Sequence, residues 1–146
     1  MKQRGFTLIE LLVVVTILGI LATIAIPRLG ATRERAVLAS MVSDLRNLVV
    51  AQTSFFSSYQ DYAPQMAGAE VPGPGTRGRV AMSPSPGNTI AIRRRAPTNT
   101  NGAGFSATVT NPMATRLGAR TCGVYVGARN YAPNKAVTTE GVPACY

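Results

Sequence analysis

The sequence predicts an α+β fold: a long N-terminal helix, membrane-spanning in its first half and packed by its second half against a four-stranded antiparallel sheet. Three observations carry this expectation. Phe6 to Ile26 is an unbroken helix-compatible run, predominantly apolar, with one charge, Glu10. Beyond Pro27 apolar residues recur at three- and four-residue spacing, the mark of a helix with one buried face. From Arg79 onward short runs alternate apolar and polar residues between turn-rich segments, as half-buried strands do.

At about 1.5 Å per residue, a helix over Phe6–Ile26 is roughly 30 Å long, the thickness of a bilayer's hydrocarbon core. The cations Lys2 and Arg4 precede it and hold the leader at the cytoplasmic face, which places the body of the chain outside. A secretory signal carries its small-residue cleavage site after the apolar segment, whereas here Gly5 stands before it, so that cleavage after Gly5 retains the helix. A carboxylate four residues into the apolar part is costly in lipid and calls for a partner. The order Gly5-Phe6-Thr7-Leu8-Ile9-Glu10, opening an apolar helix that ends in a proline, resembles the prepilins of type IV pili and the pseudopilins of type II secretion. The resemblance covers about the first third of the chain.

That resemblance implies a membrane peptidase cutting between Gly5 and Phe6, methylation of the new Phe6 amine, and assembly through Glu10. The Glu10 carboxylate of one subunit would pair with the Phe6 amine of its neighbour in an apolar filament core, where an unpaired charge is expensive. The residues alone leave a second reading, a single-pass anchor whose Glu10 sits near the headgroups. Pro27 also matches the family pattern. It lacks an N–H and frees the Thr23 carbonyl, so a bend or loosening is expected between Gly19 and Pro27.

The continuation is amphipathic. Leu38, Met41, Val42, Leu45, Leu48, Val49, Phe55, Phe56 and Tyr59 form one face, with Arg33, Glu34, Asp44, Arg46 and Asn47 assigned to the other. The aromatics Phe55, Phe56, Tyr59 and Tyr62 are expected to be core, where the helix meets the sheet. The helix should exceed fifty residues in all and end between Ser57 and Tyr62, because Pro64 biases Ala63 away from helical angles. Ala67 to Gly78 is then a flexible connection. Its Gly73, Gly75 and Gly78 spell GxGxxG, but no strand leads in and no helix follows, so a dinucleotide site is not expected.

Strands are expected at Arg79–Ser83, Thr89–Arg94, Phe105–Thr110 and Cys122–Val126, giving four antiparallel strands. Val80, Met82, Ile90, Ile92, Phe105, Ala107, Val109, Val124 and Val126 supply the apolar face. The domain boundaries that follow are a leader 1–5, a transmembrane and polymerisation helix 6–27, its amphipathic continuation 28–62 and a globular head 63–146. In an exported head the two cysteines, Cys122 and Cys145, make one disulfide. It closes a C-terminal loop, 127–144, with little core of its own, similar to the disulfide-bounded loop of type IV pilins. Many major pseudopilins carry an acidic calcium loop instead, and with Glu140 the one acid after Glu70 such a site is not expected here.

The formal charge is +9 with no histidine, which favours anionic partners such as DNA, lipid headgroups or anionic surfaces. Arg93, Arg94, Arg95, Arg116, Arg120 and Arg129 are the candidate anion-binding residues; the alternative is that the arginines meet acids on neighbouring subunits. No catalytic constellation is visible: histidine is absent, there is no CxxC, and no serine or cysteine has an activating partner. The expected protein is not an enzyme and takes no cofactor or metal. It is a structural subunit of a type IV pilus filament, a helical homopolymer built with the help of a prepilin peptidase and a pilus assembly machinery. It starts as a single-pass inner-membrane precursor and ends in an extracellular filament serving motility, attachment or DNA uptake. The alternative is a type II secretion pseudopilin or a minor priming pilin.

Overall fold

A computed structural model describes residues 6–68, 72–114 and 118–146, with backbone alone at 26–29 and 31. Helix α1 runs Leu8–Tyr59, 52 residues. There follow β1 (Gln65–Ala67), β2 (Gly73–Thr76), β3 (Arg79–Ala81), β4 (Thr89–Arg95), β5 (Gly104–Thr110), β6 (Thr121–Val126), a 3₁₀ turn (Arg129–Tyr131) and β7 (Ala144–Cys145). The chain divides into two compact units, one up to Arg33 and one from Glu34 to Tyr146.

In the first unit α1 is helical through Gly19 and across Pro27. Every described side chain from Phe6 to Ala25 is exposed, and Leu8–Ala25 is long and apolar enough to cross a membrane. Its threonines need no outside partner. The Thr16 hydroxyl donates to the carbonyls of Leu12 and Val13, and that of Thr23 to Ile20, so these polar groups are satisfied within their own helix.

In the second unit α1 buries Met41, Leu45, Leu48, Ala51 and Phe55, a stripe at three- and four-residue spacing. Glu34 and Asp44, expected on the polar side, are buried as well, as is Gln52. For Asp44 the reason is a set of donors brought from distant loops, and for Gln52 it is the chain reversal. The helix ends at Tyr59 with Gln60 in the left-handed region at φ 54°, its amide still bonded to the Phe56 carbonyl at 2.8 Å. The chain then returns so that Gln52 exchanges two hydrogen bonds with the backbone of Ala63, at 2.7 and 2.9 Å. Of the aromatics expected in the core, Phe55 is buried and Phe56 and Tyr62 are half-buried, with Phe56 stacked on Tyr62 at 4.8 Å and Tyr62 tilted against Phe105 at 5.1 Å, whereas Tyr59, in the helix's last turn, is exposed.

Two sheets cover the helix stripe. The four-stranded antiparallel sheet is expected, but its order is β4-β5-β6-β7, so its fourth strand is the short Ala144–Cys145 and not Arg79–Ser83. The latter region supplies β3 of a separate three-stranded sheet, β1-β3-β2. The stretch 67–78 is therefore more than a flexible connection. Gly73–Thr76 pairs antiparallel with β3, and its Pro74 is tolerated because β2 is an edge strand. Gly75, at φ 60°, fits there because a Cβ would strike the backbone carbonyl of Arg79.

The register of the larger sheet sorts its faces. Ile90, Ile92 and Arg94 of β4 share one face with Phe105, Ala107 and Val109 of β5 and with Val126, Val124 and Cys122 of β6. Except for Arg94, these pack into one core with the helix stripe, Val80 and Met82. The opposite face is covered in part, by residues 127–143 over β5 and β6, while Ala91, Arg93 and Arg95 of β4 stay exposed. Tyr125, Tyr131 and Val137 are buried there in a second small core, which corrects the expectation that the C-terminal loop has little of its own. Two strand glycines make room for it. A Cβ on Gly104 would lie 2.7 Å from the Tyr131 ring, and one on Gly123 would lie 2.6 Å from Pro133 Cγ.

Candidate functional site

The apolar helix opens with a reciprocal cap. The Thr7 amide and hydroxyl both donate to Glu10 Oε2 at 2.9 Å, and the Glu10 amide returns a 3.3 Å hydrogen bond to the Thr7 hydroxyl. This is a capping box, which satisfies donors that a helix start otherwise leaves orphaned. Sequence reasoning cast Glu10 as a residue in search of a partner and missed that Thr7 supplies one. The signal was present: Thr-x-x-Glu ahead of an apolar run is the local signature of such a cap. Glu10 Oε1 accepts no hydrogen bond among the described residues, so the carboxylate keeps an oxygen for a donor from outside the chain. Phe6 is 83% exposed. Gly19 is open, with nothing within 4 Å of a Cβ placed on it. Gly5, the expected cleavage position, lies outside the described residues.

The cysteines come together as expected. Cys122 and Cys145 face each other across β6 and β7 with Cα atoms 3.8 Å apart and are joined by a disulfide. Their neighbours Thr121 and Tyr146 exchange both backbone hydrogen bonds, which makes the cysteine pair the non-hydrogen-bonded, more closely approaching kind.

The candidate basic residues do not form one patch. The pleat of β4 puts Arg94 on the helix-facing side and Arg93 and Arg95 on the other. Arg94 finds its acid within the chain: Nε donates to Asp61 Oδ1 at 2.8 Å, and an Nη lies 2.8 Å from Oδ2. The Arg94 guanidinium hydrogen-bonded to it holds the Asp61 carboxyl below the usual range and raises Arg94 in turn. Arg129 is engaged as well, donating to the carbonyls of Val137 and Lys135 and lying 5.6 Å over the Tyr125 ring, so it braces the C-terminal loop. Arg120 is exposed, and Arg116 lies outside the described residues. Arg93 and Arg95 make no ion pair among the described residues. Nor, among them, do three His, Cys, Asp or Glu side chains gather as metal ligands.

Comparison with known proteins bears on the N-terminal stretch. The family described as the prokaryotic N-terminal methylation motif matches residues 1–26. The type IV major pilin protein PilA of Myxococcus xanthus is 48% identical over 65 residues, 42% of this chain and 30% of that protein. The type II secretion system core protein G of Klebsiella pneumoniae is 50% identical over 44 residues, 30% of this chain and 31% of that one. The protein of the same name from Escherichia coli is 48% identical over 44 residues, 30% of each. The chain thus spans about a third of the length of these curated relatives, and the PilA match leaves more than half of this chain uncovered. No solved structure matches it.

Proposed function

Because this chain carries the prokaryotic N-terminal methylation motif, we propose that it is a structural subunit of a type IV pilus. It is held in the inner membrane by its leader 1–5 and helix 6–27, cut after Gly5, methylated on Phe6 and polymerised through that helix into a surface filament. The observation that carries this reading is a helix whose apolar side chains are exposed from Phe6 to Ala25 and whose one charge, Glu10, keeps a free carboxylate oxygen at the helix start. Such a surface needs lipid first and other helices afterwards. In the filament the Phe6 amine of a neighbour meets Glu10, with the prepilin peptidase and assembly machinery as further partners. A second reading, a pseudopilin of type II secretion, is favoured by the 44-residue matches to core protein G. A long extracellular filament supports the first; loss of exported enzymes on deletion supports the second.

Capping and assembly are separable at Glu10. Glu10→Gln keeps an acceptor for the Thr7 amide and removes the charge, whereas Glu10→Val removes both. If the charge recruits the neighbour, both variants should be processed after Gly5 and accumulate in the membrane, yet yield few or no filaments. Surface filament yield at matched levels of processed protein is the measurement. Wild-type yield from Glu10→Gln would reduce Glu10 to a helix cap and remove the assembly role. Gly5→Leu should block processing itself.

A further inference from the structure

On the sheet face turned away from the helix, Arg93 and Arg95 of β4, Ser106 and Thr108 of β5, and Ala132 and Pro133 of the C-terminal segment line a cleft of about 300 Å³. We propose that this cleft binds an anionic sugar unit, a pyranose or furanose bearing one carboxylate or phosphate. The proposal concerns the second unit alone and stands whether or not the chain polymerises.

Charge is the first argument. Two guanidiniums two residues apart on the same strand face repel one another, and no acid among the described residues compensates them. Arg93 lies directly opposite Ser106 in register, and Arg95 opposite Gly104. The position of Arg95 is built: Gly104 leaves the space into which Tyr131 fits, and Arg95 lies 5.9 Å over that ring. A shared oxyanion relieves the repulsion and matches the fork geometry of arginine.

The floor is the second argument. Ser106 is only 3% exposed and its hydroxyl makes no hydrogen bond among the described residues, nor does that of Thr108, but the Ser106 oxygen is not sealed from solvent and so opens onto the cleft. A hydroxyl that reaches the floor of a cationic cleft without a partner in the chain is free to bond a ligand's hydroxyl or oxyanion in place of water. Size and composition narrow the class. The volume is at the small end of ligand pockets, enough for one ring with its substituent. No aromatic ring is among the lining residues, which disfavours a stacked nucleobase.

The test uses the full chain in neutral detergent micelles at fixed low salt, with ligand-observed saturation-transfer NMR against D-glucuronate, ribose 5-phosphate and glucose. At least one charged sugar should bind and glucose should not. Arg93→Gln and Arg95→Gln should each weaken binding about tenfold, as loss of a charge-assisted contact does, and Ser106→Ala several-fold. Arg46→Gln, which removes the same charge from an exposed helix position, should leave binding unchanged. Binding of glucuronate alone identifies a carboxylate source, of ribose 5-phosphate alone a phosphate source, and of both a site for either oxyanion. Glucose binding as well as the acids, no binding of either acid, or equal weakening by Arg46→Gln would overturn the assignment. Because Arg93 and Arg95 are exposed, an unchanged thermal midpoint confirms that their variants report on the cleft.

Discussion

Three donors converge on Asp44: the Ser85 amide and hydroxyl, each at 2.8 Å, and the Asn88 side-chain amide at 2.7 Å. Asn88 in turn accepts from Asn111 at 2.7 Å, and Asn111 holds the Met113 amide at 2.9 Å. One buried carboxylate thereby ties α1 to the loops that lead into β4 and out of β5. Removing it takes the acceptor from the part-buried Ser85 amide and hydroxyl and from the buried Asn88 amide, which retains only the longer 3.2 Å bond to the Ser40 hydroxyl, and each orphaned group costs about 1–3 kcal/mol. Asp44→Ala should therefore lower the stability of the second unit by roughly 3–5 kcal/mol, and Asp44→Asn by less, since one oxygen still accepts. Thermal unfolding of the full chain in micelles measures both, and a loss from Asp44→Ala within the range of an exposed substitution would remove this role. Legibility at this scale follows the distance between partners. The Thr7–Glu10 cap spans three residues and is visible as a motif, whereas Asp44 looks like an ordinary solvated acid because its donors lie 41 and 44 residues away.

Among the elements, those with strong periodicity were the legible ones. The core strands β4, β5 and β6 were expected to within one residue of where they lie, because their alternation reports a buried face directly. The short strands β1, β2 and β7 have no such pattern; Gly73–Thr76 and Ala144–Cys145 pair because of what stands beside them, which local propensity does not record. For β7 the neighbour is Cys122. A two-residue strand is too short to hold itself on a sheet edge, and the disulfide keeps it there. Closing a loop over a separation of 23 residues contributes about 3 kcal/mol in the chain-entropy model. Cys145→Ser should remove about that much stability. It should also speed amide exchange at Tyr146 and Thr121, which bond across the edge, well beyond any change in β5. Alkylation of two free thiols in native wild-type protein, or unchanged exchange at Tyr146, would defeat this account. The Tyr125–Tyr131–Val137 core should keep the rest of the segment near the sheet.

Taken whole, the chain divides its apolar surface between two tasks. The exposed run from Phe6 to Ala25 contributes nothing to a core of its own and requires lipid, detergent or neighbouring helices. Among the described residues, all of the buried apolar side chains, both core clusters, the Asp44 network and the disulfide lie between Glu34 and Tyr146. The helix within that span is held by its packed stripe and not by propensity alone, since most helical stability in proteins comes from packing of an apolar face. A chain beginning at Glu34 should therefore keep its fold. Its new N-terminal turn carries an acid, Glu34, in the place where the helix dipole favours one. Such a fragment should run as a single species on gel filtration without detergent, form the Cys122–Cys145 disulfide, and melt within a few degrees of the full chain in micelles. The full chain should aggregate once detergent is withdrawn. A fragment that is unfolded or aggregated without detergent would mean that the N-terminal half of α1 supplies part of the head's stability. In that event Glu10 and Phe6 variants could act through folding as well as assembly. If the fragment folds as expected, loss of filaments in Glu10→Gln is attributable to the helix alone, because the head then folds without that residue's segment.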